Sequence, residues 1–140
     1  MAISRPTSIA FALLLAAGTS LMAGRAMAGE LKLTGDQEVP SNTSTAVGTG
    51  TITVAADGAV SGSVSAPGMA GTAAHIHVAA AGANGPVIIP LTGGPGNTWT
   101  VPAGAKLTAE QLEAYKAGNL YVNIHSAEHK GGEIRGQLKP

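Results

Sequence analysis

Period-two alternation, broken by turn residues about every ten positions, constrains this chain more than any other feature. Ile52 and Val54 alternate with Thr51 and Thr53, and Val60 and Val64 alternate with Ser61 and Ser63. Successive side chains of a strand point to opposite faces, so each run buries one face and leaves the other polar. Asp57-Gly58 lies between the two runs and marks a tight hairpin, because glycine accepts the positive φ that such a turn needs. The same reading places strands over residues 30–34, 47–55, 59–65, 73–79, 86–91, 98–101, 119–126 and 132–138. Residues 40–45 and 91–96 read as loops, and the Gly-rich stretch 82–86 as a tight turn. Short strands at this spacing, with no internal repeat, predict an all-β antiparallel sandwich or barrel.

One helix interrupts the pattern. Thr108 stands three residues before Gln111, the spacing at which a hydroxyl and an amide side chain cap each other's backbone N–H. Leu107, Leu112 and Tyr115 form its expected buried stripe, and Gly118 is a fitting stop. A short crossover helix on a β fold follows.

Residues 1–28 are set apart from that fold. Arg5 is the one charge before the apolar run IAFALLLAAG, and Ala26-Met27-Ala28 puts small residues at the −3 and −1 positions of a signal peptidase site. The run falls short of the roughly 20 apolar residues of a membrane span. A cleaved signal peptide over 1–28 and one exported domain over 29–140 are therefore expected, in the periplasm or outside the cell, with no membrane span after cleavage. Removing Arg5 and Arg25 takes a net charge of zero to slightly acidic, and no basic run remains to grip phosphate. Nucleic acid is not an expected partner, and no motif names a protein partner. With no cysteine, the exported fold has no disulfide and offers no thiolate chemistry. There is also no G-x-S-x-G nucleophile elbow.

The residues with chemistry to offer are histidines. His75 and His77 form an H-x-H pair within AAHIHVA, which on a strand sets both imidazoles on one face about 7 Å apart. His125 ends LYVNIHS, sharing a face with Tyr121 and Asn123 while Leu120, Val122 and Ile124 take the other. If the strands pair suitably, His75, His77 and His125 form a three-nitrogen site for copper or zinc. Glu38, Met69 and His129 are further candidate ligands, and Asn123, Glu133 and Arg135 are placed to orient the histidines. The competing expectation is a hydrogen-bond network of the same residues that only fixes strand register.

Four blocks, LTGDQEVP, AHIHVAAAGANGPVIIPL, LTAEQLEAYKAGNLYVNIHS and GGEIRGQL, together resemble the CHRD domain, the chordin-type family, across nearly the whole chain after position 28. The resemblance implies a Greek-key or immunoglobulin-like β-sandwich and an exported bacterial single-domain member. It brings no activity and no growth-factor ligand with it. H-x-H on one strand and a later histidine on a Greek-key sandwich also resemble the copper ligands of Cu/Zn superoxide dismutase, at His75, His77 and His125. The zinc-binding loop, the bridging histidine and the loop disulfide of that family are missing here. The function expected is an exported binding module holding copper or zinc. The alternatives are a structural or adhesive module and, last, a dismutase-like copper enzyme.

Overall fold

The computed structural model describes residues 27–140. The expected signal peptide lies outside the described residues, except for Met27 and Ala28, whose backbone opens the first strand. That strand, β1 (Met27–Thr34), pairs along its full length with β2 (Val47–Val54), which pairs in turn with β3 (Val60–Ser65). The Asp57-Gly58 turn joins β2 to β3 with Gly58 at φ 89° and the Asp57 carboxylate accepting from the Ala59 N–H. β4 (Gly71–Val78), β5 (Val87–Pro90), β6 (Thr92–Gly94) and β7 (Thr98–Thr100) follow. The helix α1 (Ala109–Lys116), β8 (Leu120–Ser126) and β9 (Ile134–Gln137) complete the chain.

All pairings are antiparallel, in the order β5-β4-β8-β9-β1-β2-β3-β7-β6. The two ends of that order are neighbours in sequence, separated only by Leu91, whose N–H bonds to the Ala74 carbonyl of β4. The sheet therefore rolls back on itself into a nearly closed barrel, consistent with the all-β antiparallel sandwich or barrel that the alternation predicts. Leu33, Ile76, Val122, Ile124 and Ile134 fill it with no solvent exposure. Each such side chain contributes about 1.5–3 kcal/mol on burial, and with no cysteine the fold rests on this packing.

One segment departs from the sequence expectation. The segment read as a loop over 91–96 contains β6 and a 3-10 turn, Pro95–Asn97. Thr92–Gly94 carries no alternation that could announce a strand, and Gly93 leaves space for the Trp99 ring, whose Cζ3 would lie 2.8 Å from an added Cβ. The helix is as expected. Thr108 and Gln111 cap each other's backbone, and Leu107 and Tyr115 are buried, with Leu112 packed at the core margin. It carries the chain from β7 at one side of the sheet to β8 in the other half.

Candidate metal centre

β4 and β8 are adjacent, and their register decides which side chains meet. Ala73 lies opposite His125, His75 opposite Asn123, and His77 opposite Tyr121. On the far side of β8, Asn123 faces Arg135 and Tyr121 faces Gln137 of β9. Three strands thus gather His75, His77, Tyr121, Asn123, His125, Arg135 and Gln137 on one wall, while Ile76, Val122 and Ile124 enter the core. The three imidazoles converge. Each of His75, His77 and His125 offers a nitrogen, and these atoms lie within 4.8 Å of one another. Imidazoles bound to one ion at about 2.0–2.1 Å have their nitrogens about 3–4 Å apart, close to the spacing found here.

Carbonyl partners settle the proton positions. His125 Nδ1 is 2.8 Å from the Lys130 carbonyl and His77 Nδ1 is 2.9 Å from the Gly85 carbonyl. A carbonyl only accepts, so both Nδ1 atoms carry the hydrogen and both Nε2 atoms keep a lone pair. His125 Nε2 accepts from His75 Nδ1 at 3.0 Å. His77 Nε2 is buried with no partner. Backbone carbonyls that fix tautomer and ring direction from behind are the usual support of a metal-ligating histidine.

The alternation makes this wall the polar face of its strands, and the structure closes it. Every residue of β8 is buried except His125, which is intermediate. The reason is the segment between β4 and β5, which folds over the wall and is held there by side chains beneath it. Arg135 donates to the Ala83 carbonyl at 2.8 Å and the Ala80 carbonyl at 3.1 Å, and Gln137 donates to the Ala79 carbonyl at 2.8 Å. The Arg135 guanidinium also sits 3.5 Å from the centre of the Tyr121 ring. Tyr121 in turn stacks on His77, with ring centroids 4.7 Å apart and planes 3° from parallel. The Tyr121 hydroxyl accepts from the Gly85 N–H, so one residue of the covering segment anchors both stacked rings.

Burial governs the charges. The His75 pKa is lowered chiefly by desolvation and further by His125 and His77. That of His77 is lowered by desolvation, against the opposing pull of the Gly85 carbonyl and Asn123. Glu38, 5% exposed, has its carboxyl pushed up by burial, partly offset by Asn123 and Arg135. Neutral imidazoles are the metal-competent form, and burial favours that form at His75 and His77.

The other candidates divide. Asn123 and Arg135 lie on the wall, and the Asn123 amide is in polar contact with both Glu38 and His77. Glu38 stands behind Asn123 and is not among the residues whose ligand atoms converge. Glu133 was expected to orient a histidine, but its carboxylate accepts from Ser44 Oγ at 2.9 Å and groups with Glu128 and His129. It sits just before β9, where the chain has not yet entered the pleat that aligns Asn123 with Arg135. Met69 packs at the margin of the core beside Glu128 and Glu133, around a cavity of about 630 Å³. Sequence reasoning missed Tyr121 and Gly85. Tyr121 shares the parity of His125, a signal that was legible, whereas Gly85 contributes only backbone atoms and has no side-chain signature.

A family model described as the CHRD domain matches residues 30–138. No curated protein and no solved structure matches the chain.

Proposed function

The chain belongs to the CHRD domain family, and from that premise we propose that it is an exported binding module holding a copper or zinc ion through His75, His77 and His125. One observation carries this reading. His77 Nε2 is a lone-pair nitrogen, buried and without a hydrogen-bond partner, on a ring whose neighbours are the imidazoles of His75 and His125. A network built only to fix strand register would satisfy that atom, since an unpaired buried polar group costs about 1–3 kcal/mol. A metal ion satisfies it. Nitrogen-only donors of intermediate softness suit copper and zinc better than calcium or magnesium, which take oxygen ligands. When bound, the ion supplies Lewis acidity at any position the three imidazoles leave open. The residues of the chain aim the nitrogens, hold the tautomers and exclude water from the inner side.

The structural alternative rests on the three hydrogen bonds that already join His75 to His125, His77 to Gly85 and His125 to Lys130. Calorimetric titration of the purified protein with Zn²⁺ and Cu²⁺ separates the two. Stoichiometric uptake that disappears in the His75→Ala/His77→Ala/His125→Ala variant is expected. Uptake that persists in this variant, or none in the parent, leaves the hydrogen-bond network as the role of these residues. Export fits the family and the expected signal peptide, and no helix among the described residues is long and apolar enough to cross a membrane.

A further inference from the structure

We infer that Asn123 is a fourth ligand, giving its side-chain oxygen to the ion from the buried side, so that the site is three imidazoles and one amide oxygen. This rests on the three-histidine reading above. The ground is a set of three buried atoms with no partner: His77 Nε2, Asn123 Oδ1 and Glu38 Oε1. They belong to side chains that are 8%, 2% and 5% exposed, and Asn123 is in polar contact with the other two.

The orientation of the amide follows from its surroundings. Nδ2 is a donor, and in the structure it lies 3.4 Å from the Gly131 carbonyl and on the side of the Glu38 carboxyl, with Nδ2 and that carboxyl both flanking the Cβ position of Gly132. Oδ1 is thereby left toward His77, whose Nδ1 hydrogen is committed to Gly85. Oδ1 and Nε2 are then two buried lone-pair atoms on contacting side chains, neither with a hydrogen-bond partner. Neither can bond to the other, and a cation serves both. The register supports the same assignment, because Asn123 lies directly opposite His75 and two residues from His125 on one strand face. Glu38 is the positioning residue. Its carboxyl lies on the Nδ2 side of the amide, next to Gly132, and so keeps the oxygen facing the imidazoles.

Replacing Asn123 by Asp distinguishes a ligand from a prop. To avoid setting two carboxylates together, the comparison is between Glu38→Gln and Glu38→Gln/Asn123→Asp, titrated with Zn²⁺ and checked for folding by circular dichroism. If the oxygen coordinates, a charged oxygen in its place tightens Zn²⁺ binding by about tenfold or more. If Asn123 only donates a hydrogen bond, the Asp variant loses that donor and binds no better or more weakly, which overturns the inference. A second measurement needs no variant. In the Cu²⁺-loaded parent grown with asparagine labelled ¹³C at Cγ, pulsed electron paramagnetic resonance should detect an isotropic, through-bond coupling to that carbon. A purely dipolar coupling overturns the assignment of Asn123 and leaves the three-histidine site standing. A parent that takes up neither ion overturns both.

Discussion

Gly132 sits at φ 125°, and an added Cβ there would clash with Glu38 Oε1 and lie 2.6 Å from Asn123 Nδ2. Gly132→Ala therefore combines backbone strain with a blow to the buried amide. A loss of about 1–3 kcal/mol in unfolding free energy is expected, read by denaturant titration, and an unchanged midpoint would contradict the placement of Glu38. The titrating side chains give predictions of opposite sign. His75 and His77 have folded pKa values below their ordinary value of 6.5, so between that value and the lower folded one the unfolded chain binds more protons. Their contribution is complete above pH 6.5 and is lost as pH falls through that value, so the metal-free protein should melt lower at pH 5.5 than at pH 7.5, by an amount about as small as such partly exposed groups allow. Glu38 runs the other way. Its folded pKa is raised above 4.5, so its ionised form costs stability as pH rises past that value. Glu38→Gln should melt above the parent near neutral pH, and the gap should close in acid, where Glu38 is protonated and resembles Gln. A gap that does not change with pH would show that Glu38 is not desolvated.

At the level of elements, α1 and β8 show how differently two segments announce themselves. The helix is held at its start by Thr108 and Gln111, with bonds of 3.1 and 2.9 Å to each other's backbone. Thr108→Ala should cost about 1 kcal/mol, measured by thermal melting, and should leave metal uptake unaltered, because Thr108 bonds to Gln111 at the start of the helix and to none of His75, His77 and His125. This capping box is a local pattern and could be read from four residues. The parity of β8 was equally local. Its burial on both faces was not, because the covering segment between β4 and β5 reaches it only through tertiary contacts. Asn84 shows the point: its side chain donates to the Val39 carbonyl at 2.7 Å, joining two segments that are remote in the chain. That bond holds the cover beside Glu38, and nothing in the run GANGP indicates that it faces another segment.

For the molecule as a whole, a ligand that binds only the folded state raises stability by mass action. Zinc at a hundred times its dissociation constant should add about 2.7 kcal/mol, seen as a higher melting temperature that a chelator reverses. The His75→Ala/His77→Ala/His125→Ala variant should show no such rise, and a rise in that variant would place the ion elsewhere. The all-β class, most strand positions, the capped helix and the shared parity of His75, His77 and His125 were readable in the chain itself. They depend on side-chain alternation and on contacts between residues a few positions apart, which a linear sequence records directly. Tertiary structure alone decided that β4 lies beside β8 with Ala73 opposite His125, that the polar wall is covered, and that Glu133 leaves it while Tyr121 and Gly85 join. Strand order and register come from packing the apolar faces into one nearly closed barrel, a condition on all the strands at once that no single segment carries.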